Sequence, residues 1–311
     1  MSGLIDRNTA GVYIISATPF DEAGEIDYAS TDRLIEFYLG HGVHGVTILG
    51  MMGEAPKLSA DEAAVFARHV LGRIAGRVPV IVGVSGAGLE NMARLTGIMM
   101  DAGAAGVMVA PPGLATEDRV LEYYGQLCQR LGRQVPVCFQ DYPQATGVHV
   151  SVATILAMTR EMPQVVMLKH EDGSGLGKLS KVREGSGTAD TPRLSILVGN
   201  GGLYLPMELA RGADGAMTGF AYPEMLVGVV ERHRAGSTDE AEDMFDAYLP
   251  LVRYEQQPGI GLAIRKEVLR RRGVIACART RAPGPSLSPA DADELTRLMT
   301  RLEVRLGQAT R

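Results

Sequence analysis

Eight short runs of apolar, mostly β-branched residues recur along the chain, at 12–17, 43–49, 79–84, 106–110, 135–139, 165–168, 194–198 and 214–217. Most lie roughly thirty residues apart, the size of a strand–helix–strand unit. Within each run the apolar residues are nearly continuous rather than alternating, as in parallel strands covered on both faces. Eight such strands with helices between them predict an α/β fold, the closed (β/α)8 TIM barrel. The 311 residues suit one barrel plus an extension. We place the barrel at 1–222 and a C-terminal helical extension, packed on it as one structural unit, at 223–311.

The segments between the runs carry helix signals. Asp27 opens a helix whose apolar face is Leu34, Ile35, Tyr38 and Leu39 and which ends at Gly40. Ser59 and Glu62 form a capping box ahead of Val65, Phe66, Val70 and Leu71. The tail has helical stretches near 241–252, 261–271 and 290–306, with a proline-rich break at 281–285 before the last. Composition narrows the function. A net charge of −5 without a basic stripe argues against nucleic acid as a partner. Cys128, Cys138 and Cys277 fit neither a disulfide framework nor a zinc site, and the six histidines show no ligand spacing, so we expect no metal. No run reaches membrane-span length and the first residues do not resemble a signal peptide, so we expect a cytoplasmic protein without a membrane partner.

The sixth run ends in Lys169-His170-Glu171-Asp172. Functional groups of such barrels sit at the C-terminal ends of strands, in the loops that follow. A lysine at that edge, desolvated beside an apolar run, is the amine that forms Schiff bases with carbonyl compounds. Its neighbours at the other strand ends are glycine-rich: Gly50-Met51-Met52-Gly53-Glu54 after the second and Gly199-Asn200-Gly201-Gly202 after the seventh. Such loops let backbone N–H groups approach a carboxylate. Gly50, Met51, Met52, Gly53 and Gly199, with Met217 at the eighth strand end, are the candidate substrate-binding residues. Gln140 and Tyr142, two apart at the fifth strand end, share a face if strand geometry persists. Glutamine cannot titrate, so Gln140 is expected to orient substrate or water. Glu54 and Glu171 are read first as helix-start or surface carboxylates, either of which could be a general base if burial raises its pKa, and His170, alternating away from Lys169, as a packed histidine.

These motifs, from Thr18-Pro19-Phe20 through Gly50-x-x-Gly53-Glu54 and Pro143-x-x-x-Gly147 to Lys169 and Gly199, resemble the dihydrodipicolinate synthase / N-acetylneuraminate lyase family over nearly the whole chain. The resemblance implies a class I lyase that acts on a small 2-oxo acid through an imine on Lys169, without an external cofactor, in a homo-tetramer or dimer. Gln140-Asp141-x-Pro143 and the tail motifs Leu249-Pro250-Leu251 and Arg272-Gly273-Val274-Ile275-Ala276 are most similar to the 2-keto-3-deoxy-L-arabonate dehydratase branch.

Departures from the family pattern sharpen the expectation. Met51 and Met52 stand where two threonines are usual, so backbone N–H groups are left to hold the carboxylate. Gln140 replaces the family's tyrosine, Ala145 the synthases' arginine, and Pro112-Gly113 the loop that lends a tyrosine to a neighbouring subunit. Synthase activity is therefore disfavoured, and dehydration of a 2-keto-3-deoxy sugar acid is the preferred reaction. Dihydrodipicolinate synthase and other pyruvate-dependent aldolases are the alternatives in the same class. A non-catalytic barrel that binds 2-oxo acids is the alternative of another class.

Overall fold

The computed structural model describes residues 3–86, 88–173 and 175–309. Eight parallel strands close into a barrel in chain order: β1 (Gly11–Ile15), β2 (Gly45–Ile48), β3 (Val80–Gly83), β4 (Gly106–Val109), β5 (Val137–Asp141), β6 (Val165–His170), β7 (Ser195–Val198) and β8 (Gly215–Ala216). Each expected run overlaps its strand, although β1 begins one residue before its run and β5 and β6 extend two residues past theirs. Helices follow the strands as expected, with Asp27 capping Tyr28–Gly40 and the Ser59–Glu62 capping box opening Ala60–Ile74. One detail differs: Val65 is 53% exposed, because the buried stripe of that helix runs through Ala63, Phe66, Ala67 and Val70. The helix after β8, Pro223–Arg234, packs on β1 and β8 and fills the eighth place in the outer ring. Thr238–Glu255, Gly261–Arg271 and Pro289–Ala309 complete the tail.

Alternation along the strands sorts side chains into two cores. Val12, Ile14, Val46, Ile48, Val107, Val109 and Phe139 point outward into the helix layer, whereas Tyr13, Ile15, Ile81, Met108, Cys138, Met167 and Leu197 fill the barrel interior. In β6 the alternation slips. Val165 joins the outer core and Met167 the inner one, and the β5–β6 register shifts between Val137↔Val165 and Cys138↔Met167. That bulge at Val166 re-aims everything after it. Without it Lys169 would share Val165's outward face; with it Lys169 follows Met167 into the barrel mouth, opposite Gln140 in register.

Candidate active site

Above the inner layer a cavity of about 680 Å³ opens at the C-terminal ends of the strands. Lys169, Gln140, Glu171, Tyr142, Met51 and Met52 are on its wall. The charged cluster at its base is compact. The Glu171 carboxylate lies 2.9 Å from Lys169 Nζ and accepts a 2.6 Å hydrogen bond from the Gln140 amide, all through Oε2. Lys169, Glu171 and Gln140 are buried. A buried ammonium and carboxylate persist only as a hydrogen-bonded pair, and the Gln140 donor serves the same oxygen. The Glu171 backbone is pinned in turn: its N–H donates to Asp141 O at 2.9 Å, and Asn200 Nδ2 donates to its carbonyl at 3.3 Å. Tyr142 is half-buried beside this group. Burial, then the Glu171 charge, raises its phenol above the ordinary value, so it stays protonated and is a donor at neutral pH.

The sequence-derived candidates divide. Lys169, Gln140 and Tyr142 come together, and Met51 and Met52 line the opposite wall from a short 3-10 turn, Met51–Gly53. The first N–H groups of such a turn have no carbonyl behind them. Gly50 and Gly53 are not wall residues; they shape the turn, with Gly53 O held by a 2.6 Å hydrogen bond from Thr18 Oγ1. Gly199 is not a wall residue either, and its N–H donates to His170 O at 2.9 Å. A Cβ there would collide with Glu171 Cγ and Oε1, so the missing side chain makes room for the carboxylate. Met217 is wholly buried in the inner core, one residue short of the wall formed by Thr218 and Gly219.

Two carboxylates differ from expectation. Glu171, read as a surface or helix-start group, is the centre of the cluster. Glu54 is not on the surface but is almost fully buried: Oε1 takes Lys266 Nζ at 2.5 Å, and Oε2 takes Lys57 Nζ at 2.8 Å and Arg281 N–H at 2.9 Å. It ties the β2 loop to the C-terminal segment. His170 packs behind the site, with Nε2 3.0 Å from Gly175 O and Nδ1 3.6 Å from Asp141. No sequence pattern marks the cavity's roof, which comes from the tail: Gln256, Gln257, Leu262 and Arg265. Among the described residues no group of three or more His, Cys, Asp or Glu side chains is placed to hold a metal ion, and no helix is long and apolar enough to cross a membrane. The three cysteines are free and buried.

Comparison with known proteins points one way. The pattern of the Dihydrodipicolinate synthetase family matches residues 8–303. An L-2-keto-3-deoxyarabonate dehydratase from Azospirillum brasilense is 32% identical over 299 residues, 94% of this chain and 94% of its own. A 4-hydroxy-tetrahydrodipicolinate synthase from Sorangium cellulosum is 30% identical over 95% of this chain and 97% of its own. The crystal structure of a dihydrodipicolinate synthase from Rhodopseudomonas palustris is similar with a TM-score of 0.94 and 46% identity, covering 96% of this chain and 100% of that one.

Proposed function

The chain belongs to the dihydrodipicolinate synthetase family and is a lyase, and we propose that it dehydrates a 2-keto-3-deoxy sugar acid such as L-2-keto-3-deoxyarabonate through an imine on Lys169. The observation that carries this reading is the buried Lys169–Glu171–Gln140 cluster, in which one carboxylate oxygen touches both the amine and the amide. Glu171 takes a proton from the Lys169 ammonium, and the free amine adds to the C2 carbonyl. Glu171 returns that proton to the C2 hydroxyl of the adduct, which leaves as water and gives the iminium, whose positive nitrogen drains electrons from C3. A base then removes a C3 proton to give the enamine, and the C4 hydroxyl leaves as water once protonated. Hydrolysis of the resulting conjugated imine frees the lysine and the product.

Glu171 is the base for C3, because no other carboxylate on the wall contacts Lys169, and a positioned base of this kind contributes about 10²–10⁴ in rate. Gln140 holds its oxygen toward the substrate. Tyr142, protonated, donates to the departing hydroxyl. The free N–H groups of the Met51–Gly53 turn hold the C1 carboxylate, and the two methionine side chains keep the surroundings apolar. No external cofactor enters any step.

Synthase chemistry is the alternative that the names of several relatives raise. Ala145, on the cavity wall where the synthases' arginine is expected, supplies no charge for a second carboxylate and favours the dehydratase reading. Borohydride reduction in the presence of pyruvate, followed by peptide mass spectrometry, tests the imine. The adduct is expected on the Lys169 peptide and absent from Lys169→Ala. An adduct on another lysine, or none, refutes the mechanism. Turnover assays with 2-keto-3-deoxy acids and with pyruvate–aldehyde pairs then separate dehydration from aldol chemistry.

A further inference from the structure

Arg265 and Lys266, neighbours on helix Gly261–Arg271, are both buried cations, yet they end differently. Lys266 is satisfied: its ammonium meets Glu54, the Arg279 carbonyl and the face of Phe20. Arg265 is not. Nε is paired with Glu255 and Nη2 donates to the Gly219 carbonyl, but Nη1 has no acceptor. Buried guanidinium N–H groups are seldom left unmatched, because each forfeits its hydration without return. Arg265 is also part of the wall of the cavity that holds Lys169, and Nη1 lies directly over Gly219, where any Cβ would strike it. The missing side chain at Gly219 thus makes room for the guanidinium at the end of β8, and Nη1 is buried there without an acceptor.

We propose that Arg265 Nη1 is the specificity-determining donor that receives a hydroxyl oxygen on the far end of the substrate chain. This rests on the imine reading of Lys169 and extends it to the rest of the substrate. The charge balance selects the kind of oxygen. Glu255 already neutralises the guanidinium, so the buried pair carries no net charge. A distal carboxylate would set a second anion beside Glu255, whereas a hydroxyl supplies the missing acceptor and adds no charge. Gln256, whose amide packs against Gly201 on the same wall, adds a second polar group suited to a hydroxylated tail. Pyruvate is too short to carry such an oxygen.

The test compares four acids as substrates for borohydride trapping on the full chain: pyruvate, 2-keto-3-deoxyarabonate, 2-oxopentanoate and 2-oxoglutarate. Half-saturation of the adduct is read by intact mass. In the wild type the hydroxylated acid is expected to saturate about 10- to 100-fold lower than 2-oxopentanoate or 2-oxoglutarate, the gain typical of one hydrogen bond from a charged donor. Arg265→Lys keeps a cation for Glu255 but cannot place the second nitrogen, so the gap should close to within about threefold. A double variant, Arg265→Met with Glu255→Met, removes the pair without stranding a charge and should close it too. A gap that persists in both variants overturns the proposal. So does an equal loss for all four acids, which marks a purely structural role, or a wild-type preference for 2-oxoglutarate. No adduct with any acid in the wild type refutes the imine reading and this inference with it; an adduct whose selectivity ignores residue 265 refutes this inference alone.

Discussion

Glu171→Gln separates the two jobs assigned to the central carboxylate. The substitution preserves shape and hydrogen-bonding capacity but removes the charge 2.9 Å from Lys169 Nζ. At an effective dielectric of about 20 the lost attraction is roughly 6 kcal/mol before desolvation is counted. Breaking one side of a buried pair typically leaves a net deficit of about 3–5 kcal/mol. The protein escapes that deficit by releasing the lysine proton, so the free amine, the form that attacks C2, is favoured. Trapping with pyruvate should thus survive at neutral pH. Proton removal from C3 should not, because an amide cannot accept the proton, and turnover of the 2-keto-3-deoxy acid should fall by about 10²–10⁴. Single-turnover kinetics on stopped, borohydride-quenched samples resolve the two steps, with adduct appearing at a rate near the wild type's and product lagging. Exchange of C3 protons of bound pyruvate into deuterated water, followed by NMR, gives an independent readout and should fall in parallel. Turnover and exchange within tenfold of the wild type would remove Glu171 as the base. Loss of the adduct itself would instead make Glu171 essential to imine formation.

Gly199→Ala places a methyl group against Glu171 Cγ and Oε1 without demanding a forbidden backbone angle; kcat should drop about 10²-fold, as for a misplaced catalytic group, with the melting temperature changed little. Restored or unchanged kcat would mean the carboxylate has room elsewhere. Lys266→Met strands the Glu54 carboxylate with only Lys57 and the Arg281 N–H as partners, and urea unfolding should show a loss near the lower end of about 3–5 kcal/mol. A loss below about 1 kcal/mol would show that the Glu54 anchor is dispensable. Burial holds the Glu208 carboxyl up at about 7 from an ordinary 4.5, against a smaller opposing effect of His170. Its protonated form is favoured by folding, so that contribution is complete below about pH 4.5 and is lost as pH rises through 7. The rise is worth about 3 kcal/mol. Urea midpoints of Glu208→Gln relative to the wild type should therefore climb between pH 5 and 8, and parallel curves would refute the assignment.

What the sequence discloses and what it withholds follow from the range of the forces involved. Eight strands are legible because a strand covered on both faces must be apolar throughout, and that demand is local. Lys169 is legible because a lysine closing such a run is chemically costly wherever the fold places it. Its direction is not: only the bulge at Val166, a property of the β5–β6 register, turns it inward rather than onto the outer face of Val165. The same limit hides Glu171. Two residues beyond a lysine, a glutamate in a polar loop looks solvated, and its burial depends on Gly199 lying beneath it and on Gln140 facing it across a strand pair. Glu54 misleads for the same reason, since its partner Lys266 is 212 residues away. Arg265 is the extreme case. No local pattern marks it as part of the cavity, because Gly219 and Glu255 lie 46 and 10 residues from it in sequence. The lysine and the turns proposed to hold the acid belong to the barrel, and the barrel is a local code repeated eight times. The groups proposed to read the rest of the substrate come from a tail that reaches the site only after the barrel has closed.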